Sequence, residues 1–112
     1  MPQNTPKYEP LQRIEEIDRT VHAPTRLKIL TVLAAVVNAD FNFLTLATGL
    51  TRGNLSANLR KLEEIGYVTI EKGYANRVPR TLVQLTDEGR SALQDYTENM
   101  RTVLDDLLEH IG

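Results

Sequence analysis

The spacing of apolar residues predicts two helices in the first third of the chain. Residues 10–20 carry apolar side chains at three-residue intervals, and Pro10 is tolerated in the first turn of a helix. Residues 24–37 begin with Pro24 and are apolar on most sides, so we expect this second helix to be central and buried. Residues 1–9 show no periodicity and are expected to form a flexible arm.

A short helix and a longer helix, separated by a turn, are predicted next. The short helix is expected to have Asn42 as its cap and to end at Gly49, because asparagine caps helices and glycine ends them. Thr51 is expected to cap the longer helix, which runs to Ile65 before Gly66. The expected buried residues are Phe43, Leu44, Leu46 and Ala47 of the short helix and Leu55, Leu59 and Leu62 of the longer one. Two helices joined by such a short turn form a helix-turn-helix unit.

The remainder of the chain predicts two strands and a long final helix. Residues 67–70 are aromatic or β-branched, and residues 81–85 present alternating faces, as paired strands do. Residues 71–80 contain glycine, asparagine and proline, so we expect a long hairpin loop there rather than a tight turn. Thr86 is expected to cap a helix over residues 86–111. The predicted fold class is therefore mainly α with a small β-hairpin.

The charges of the chain are unevenly distributed. With 112 residues and a formal net charge of −2, the chain is expected to form one domain over residues 1–112. Residues 51–80 hold six basic and three acidic residues, whereas residues 81–112 hold two basic and seven acidic ones. Because salt screens charges over roughly 8 Å, the acidic segment does not prevent the basic one from meeting an anion. A nucleic-acid partner therefore remains open despite the acidic total.

Several classes of function are excluded or disfavoured by residues that the sequence lacks. Without cysteine there are no disulfides, thiolate metal sites or cysteine nucleophiles. His22 and His110 lie on different predicted elements, so we expect no metal site and no cofactor. No Ser-His-Asp set or phosphate loop can be picked out, so we expect no enzyme activity. Without a signal-peptide pattern or an apolar run of ~18 residues, a cytoplasmic protein with no membrane partner is expected.

Three local strings resemble the winged helix-turn-helix regulators of the MarR and ArsR families. They are residues 22–30 at the start of the second helix, residues 51–68 over the longer helix and its exit, and residues 85–90 before the last helix. The resemblance implies a winged helix-turn-helix with a long C-terminal dimerisation helix over residues 86–111. It also implies a homodimer that binds double-stranded DNA sequence-specifically and regulates transcription. We expect this regulator to be a repressor. A small-molecule effector of unidentified chemistry is a further expected partner.

The candidate DNA-binding residues lie on the longer helix and on the hairpin, which is the wing of this fold. The N-terminal half of such a helix enters the major groove, where arginine pairs with guanine and asparagine with adenine. The candidates are Thr51, Arg52, Asn54, Ser56, Asn58, Arg60 and Lys61 on the helix, and Lys72, Arg77 and Arg80 on the wing. The alternative is a winged-helix module that binds another protein without binding DNA. Residues 52–61 hold no acidic side chain, which favours DNA.

The last helix carries more apolar surface than one small domain is expected to cover. Apolar patches beyond a few hundred Å² are uncommon on soluble monomers, so a second copy of the chain is expected to cover this one. The candidate dimer residues are Leu93, Tyr96, Met100, Val103, Leu104, Leu107, Leu108 and Ile111, joined by Leu11, Ile14 and Ile17 of the first helix. The alternative is a last helix that folds back on its own domain.

Overall fold

The computed structural model describes residues 8–112 of the chain. Its elements are α1 (Glu9–Glu15), α2 (Pro24–Ala34), β1 (Ala39–Asp40), α3 (Phe41–Thr48), α4 (Arg52–Ile65), β2 (Val68–Ala75), β3 (Val78–Leu85) and α5 (Asp87–Ile111). The arm predicted over residues 1–9 lies outside the described residues except for Tyr8 and Glu9, which cap and begin α1. The predicted fold class is confirmed. Within the described range, no helix is long and apolar enough to cross a membrane.

The hydrophobic core lies between α2, α3, α4 and one face of the sheet. Its buried side chains include Ile29, Leu30 and Leu33 on α2, Leu44 on α3, Leu55, Leu59 and Leu62 on α4, and Val68, Val83 and Leu85 on the strands. Burial of one such side chain contributes about 1.5–3 kcal/mol. The central place of α2 is confirmed, but Thr31 and Ala34 are exposed, so the expectation that this helix is buried on most sides is wrong. The same core joins the helix-turn-helix unit to the hairpin.

The start of α3 differs from the prediction. Asp40 rather than Asn42 caps the helix, since its carboxylate accepts a hydrogen bond of 2.7 Å from the backbone nitrogen of Phe43. Leu44 and Thr48, four residues apart, face the core. The prediction that Phe43, Leu46 and Ala47 are buried is wrong. Leu46 is 84% exposed, and Phe43 and Ala47 are also exposed. The physical reason is that a helix with a period of 3.6 residues buries one stripe, and Leu44 occupies it.

The first two helices are shorter than predicted. Instead of continuing to residue 20, α1 ends at Glu15. Beyond it, the Asp18 carboxylate accepts hydrogen bonds from the backbone nitrogens of Thr20 and Val21, at 2.8 and 3.2 Å. Such a bond to the following backbone favours a turn over a helix. The second helix, α2, ends at Ala34, and the chain then enters β1.

The three strands form an antiparallel sheet in the order β1-β3-β2. The predicted long loop over residues 71–80 is wrong, because β2 and β3 pair as far as Ala75 and Val78. The two residues between them, Asn76 and Arg77, both have positive φ, 51° and 68°. Positive φ at both central positions is the arrangement of the tight hairpin turn whose twist matches the strands. With only two residues, β1 shows no periodicity that a sequence pattern could reveal.

The end of α4, the start of β2 and the start of α5 meet at one junction. Gly66 ends α4 in the left-handed region at φ 97°, and the Thr86 hydroxyl donates to its carbonyl at 2.6 Å. Thr86 also caps α5, as predicted, by accepting from the Gly89 nitrogen at 2.9 Å. A Cβ on Gly89 would lie 2.2 Å from the backbone oxygen of Tyr67. The direction of α5 therefore depends on the absence of a side chain at position 89.

We predict that Gly89→Ala destabilises the fold by about 1–3 kcal/mol, as overpacking of a close contact does. The matched control is Gly53→Ala, because an added Cβ on Gly53, within α4, has nothing within 4 Å. That control is expected to stabilise by up to ~1 kcal/mol through helix propensity. Urea unfolding of both variants measures the difference, and equal effects would show that the junction tolerates a methyl group.

Candidate nucleic-acid interface

One face of α4 is exposed and carries no acidic side chain in its first ten residues. The buried leucine stripe turns the opposite side of the helix outward. That side holds Arg52, Asn54, Ser56, Arg60 and Lys61, which are exposed, and Asn58, which is half-buried. Thr51 caps the helix as predicted, accepting from the Asn54 nitrogen at 3.1 Å. The predicted helix candidates are thus brought together on one surface.

Arg52 is held at the junction of α3 and α4. Its Nη1 donates a hydrogen bond of 2.7 Å to Oδ1 of Asn42. Its guanidinium carbon also lies 4.6 Å from the centre of the Phe41 ring, a cation–π contact. Asn42 therefore orients an arginine of the next helix instead of capping its own. This role is not visible in the sequence pattern because it requires the two helices to be packed together.

Asn54 and Asn58 are linked by hydrogen bonds along α4. Nδ2 of Asn58 donates to the backbone oxygen of Asn54 at 2.9 Å and to its side-chain Oδ1 at 2.6 Å. From α2, Nη1 of Arg26 donates to Oδ1 of Asn58 at 3.5 Å. The three side chains form a chain of donors and acceptors that runs from α2 to the exposed face of α4.

Arg26 was missed by the sequence analysis, although it is central to this arrangement. Its Nε donates to the Thr20 carbonyl at 2.6 Å and its Nη2 to the Arg19 carbonyl at 3.3 Å. It therefore fastens the loop before α2 as well as Asn58. One signal was available, because Arg26 lies in the first turn of α2, where the helix dipole disfavours a cation.

The wing candidates lie in different places. Lys72 lines a cleft of about 490 Å³ between the hairpin and α4, together with Ser56 and Arg60. Arg77 occupies the tip of the hairpin. Arg80 lies on the other face of β3, since its neighbour Thr81 lines the cleft and successive residues of a strand alternate. There its Nε is 3.9 Å from the Asp40 carboxylate.

The candidate dimer residues separate into a buried and an exposed group. Val103 is only 8% exposed, and Leu93 and Tyr96 pack against the core, so the single chain already covers part of the stripe that we expected a second copy to cover. The reason is that α1 packs along α5, where Arg13 donates to the buried Asn99 at 3.0 Å. The exposed group comprises Leu104, Leu107, Leu108 and Ile111 of α5 with Leu11 and Ile14 of α1. The half-buried residues Ile17 and Met100 lie between these extremes.

A polar cavity of about 360 Å³ lies between α1, α5 and the Asp18 turn. Its ionisable lining comprises Arg13, Glu16, Asp18, Asp95 and Glu98, with Tyr67 and Tyr96 beside them. The Tyr67 hydroxyl donates to Asp18 at 2.5 Å. Burial, followed by this hydrogen bond, raises the pKa of Tyr67 to about 12. No sequence pattern marks this cavity, because its lining comes from separate segments of the chain.

Three side chains near the end of α5 have the chemistry of metal ligands. Asp106, Glu109 and His110 each offer one atom, all within 4.8 Å of one another. However, Asp106 accepts a hydrogen bond from the Tyr8 hydroxyl, and Nδ1 of His110 lies 2.8 Å from the Asp106 carbonyl. We interpret the group as packing between α1 and the end of α5, and the expectation of no metal site stays a prediction.

Comparison with known proteins identifies the family of this fold. A family model described as a winged helix DNA-binding domain matches residues 25–104. A transcriptional regulator homologue from Pyrococcus horikoshii has a structure with a TM-score of 0.80 and 33% sequence identity, covering 89% of this chain and 98% of its own. An uncharacterized protein of Methanocaldococcus jannaschii is 38% identical over 71 residues, which are 63% of this chain and 77% of the relative.

The MarR likeness is one of fold. A regulator of the MarR family from Enterococcus faecalis has a TM-score of 0.71 and 21% identity, covering 97% of this chain and 96% of its own. The predicted resemblance to MarR-type regulators is confirmed at this level. The region matched by the family model, residues 25–104, includes both α4 and the hairpin. The chain therefore belongs to the winged helix DNA-binding domain family and has the fold of MarR-type transcriptional regulators.

Proposed function

We propose that this chain binds specific sequences of double-stranded DNA as a homodimer and represses transcription. The observation that carries the proposal is the exposed face of α4 without acidic residues over residues 52–61, with Lys72 across the adjacent cleft. Phosphate attraction supplies much of the affinity of such surfaces. The acidic C-terminal helix would lie away from the phosphates.

The exposed residues divide into two roles by their position on α4. Arg52, Asn54 and Ser56 lie in the N-terminal half, which supports contact with base edges in the major groove. Residues further along meet the sugar-phosphate backbone, which sets register without reading sequence. This second group is Asn58, Arg60 and Lys61, with Thr51 contributing at the cap. We assign no catalytic step to the chain.

The wing residues are assigned to the DNA backbone and the minor groove. Arg77 is the strongest of them, because it occupies a left-handed conformation that glycine would adopt more easily. A strained position held by a charged residue at a protruding tip supports a functional role. Lys72 lines the cleft between the hairpin and α4. Arg80 contributes less to DNA binding, because its guanidinium is also paired with Asp40.

The homodimer is supported by the exposed apolar group at the end of α5. Leu108 is 67% exposed and Ile111 is 74% exposed, and Leu11 of α1 extends the same surface. To read two half-sites one turn of DNA apart, such a two-fold dimer would have to hold its two copies of α4 about 34 Å apart. A bound dimer would then exclude the transcription machinery from that DNA in the cytoplasm, which is the basis for proposing repression.

A small-molecule effector would bind in the polar cavity between α1, α5 and the Asp18 turn. Four carboxylates against the single Arg13 guanidinium favour a neutral or cationic ligand over an anionic one. The Asp18 turn at its edge is joined through Thr20 to Arg26, and hence to α4. The alternative is a protein-binding module without DNA affinity, and the salt dependence of DNA binding distinguishes it from the proposed function.

We predict that purified protein binds genomic DNA fragments with steep salt dependence. A dimer with six or more phosphate contacts is expected to lose ~10³-fold in affinity between 50 and 200 mM salt. Lys61→Ala should reduce the steepness of the plot of log affinity against log salt concentration by about one per subunit. Arg90→Ala removes the same charge from α5 and should leave that steepness unchanged. Fluorescence anisotropy over a salt series measures this. Absent or salt-independent binding would favour the protein-binding alternative.

We predict that Arg77→Gly has opposite effects on folding and on binding. Glycine relieves the left-handed conformation and creates the Asn-Gly pair favoured in such turns, so stability should rise by up to ~1 kcal/mol. Loss of the guanidinium should weaken binding to all DNA sequences. Thermal unfolding and anisotropy together measure the two effects, with Arg90→Ala as the charge control. A variant that binds normally would remove Arg77 from the interface.

We predict that the double variant Leu104→Asp, Leu108→Asp is a folded monomer that binds a full site poorly. Both side chains are exposed in the single chain, so the change should spare the fold while charging the dimer surface. Ser91→Asp with Gln94→Asp is the control, because it adds the same charge to exposed positions of the same helix. Sedimentation and binding to full and half sites measure the effect. A monomeric wild type with full specificity would contradict the proposal.

A further inference from the structure

One face of the hairpin continues the cleft beyond Lys72, toward the tip of the wing. Side chains two residues apart in a strand point to the same side, so Ile70, Lys72 and Tyr74 of β2 share one face. Ile70 and Lys72 line the cleft opposite α4, which identifies this face as the one turned toward the proposed DNA surface. Tyr74 therefore lies on the cleft side of the wing, roughly 6–7 Å nearer the tip than Lys72.

The pairing of the two strands places Pro79 beside Tyr74. Pro79 is directly opposite Tyr74 in the antiparallel register, and the Cβ atoms of such pairs lie roughly 4.5–5.5 Å apart. The next pair on this face, Lys72 with Thr81, lines the cleft. The phenol and the proline ring thus form one small apolar patch at the outer end of the cleft face.

The chemistry of Tyr74 is unused within the chain. Its side chain is 79% exposed, and its hydroxyl makes no hydrogen bond to any of residues 8–112. A tyrosine has an apolar body and a polar tip, so it can pack on one group while its hydroxyl donates to another. On the opposite face of the hairpin, the corresponding exposed residue is Val78, which has neither a hydroxyl nor a charge.

The surroundings of Tyr74 indicate its partner. Lys72 lies two residues before it, and Arg77 lies three residues after it at the tip. A DNA strand that meets both of these residues, as proposed, passes the tyrosine between them. The cleft itself is lined by three cationic side chains and one acidic side chain, which favours an anionic occupant. Deoxyribose and phosphate, side by side on such a strand, match the apolar ring and the hydroxyl donor.

We propose that Tyr74 is a further DNA-contacting residue, whose ring packs on a deoxyribose of the strand along the cleft and whose hydroxyl donates to the adjacent phosphate. The inference rests on the proposed function, since it adds a contact to the same interface. This contact reads no base, so it strengthens binding to every sequence alike. Because a phenol does not neutralise a phosphate charge, it adds affinity without adding salt dependence.

Two substitutions of Tyr74 separate the hydroxyl from the ring. Tyr74→Phe keeps the ring, and it is expected to weaken DNA binding roughly 2- to 10-fold for each subunit, the effect of one hydrogen bond. Tyr74→Ala also removes the ring and should weaken binding further. Val78→Ala is the matched control, because it shortens an exposed side chain beside the same turn but on the opposite face, and it should leave binding unchanged. Fluorescence anisotropy over a salt series measures the affinities, and thermal unfolding confirms that each variant folds.

The outcomes of this comparison separate the inference from the function on which it rests. Both tyrosine variants should keep the salt dependence of the wild type, whereas Lys72→Ala should reduce it. Tyr74→Ala with the affinity of Val78→Ala, in a protein that binds DNA, would overturn the contact and leave the proposed function intact. Tyr74→Phe with wild-type affinity would overturn the hydrogen bond to phosphate. A wild type that binds no duplex would overturn both the contact and the proposed function.

A fluorescent probe tests the contact without removing the ring. The chain contains no tryptophan, so the single indole of Tyr74→Trp reports on this position alone. DNA is expected to shift its emission and to lower its quenching by acrylamide, whereas the indole of Val78→Trp, on the other face, should be quenched equally with and without DNA. Unchanged quenching at position 74 in a DNA-bound variant would overturn the contact. Equal protection at both positions would show that the wing is buried on both faces and would overturn its one-sided placement.

Discussion

The rotation of α4 about its own axis is the constraint on which the interface depends. Leu55, Leu59 and Leu62 are all buried, and each would cost about 1.5–3 kcal/mol to expose. A rotation that moved the polar face would expose this stripe, so the polar face is held outward by packing on the opposite side. The core sets where the basic and amide side chains point before any ligand is present. The cap at Thr51 and the stop at Gly66 then set how much of the helix is available.

The exposed polar side chains of this face are themselves organised by the protein. Arg52 lies between Asn42 and the Phe41 ring, and the two asparagines of α4 are joined to Arg26. Ordering a flexible side chain at an interface costs roughly 0.5–1.5 kcal/mol, so side chains that are already ordered lose less on binding. The same hydrogen bonds restrict which atoms remain free. The order of these side chains therefore originates in the contacts that α2 and α3 make with α4.

The long helix α5 serves two surfaces along its length. Its N-terminal half is anchored at the junction of Gly66, Tyr67 and Gly89 and is covered by the core and by α1. Its C-terminal half packs on one side against α1, where Tyr8 contacts Asp106, and the molecule has a longest dimension of 67 Å against 30 and 23 Å. The apolar residues left exposed there form the surface that we propose a second copy covers. The cavity with Asp18 and Tyr67 lies against the N-terminal half of α5, where Asp95 and Glu98 line it, beside the loop that Arg26 fastens.

The sequence alone determined the order of the five helices, the caps at Thr51 and Thr86, the leucine stripe of α4 and the location of the basic segment, but not the ends of α1 and α2. These features depend on residues three or four positions apart, which a periodic pattern reports directly. It did not determine the tight turn at Asn76 and Arg77, the two-residue β1 or the exposed side of α3, where short segments carry too little pattern. Nor did it determine which polar side chains meet. Arg26 and Asn58 are 32 residues apart and come together only because α2 and α4 share one core, so the contact between α2 and the polar face of α4 was decided by the tertiary structure.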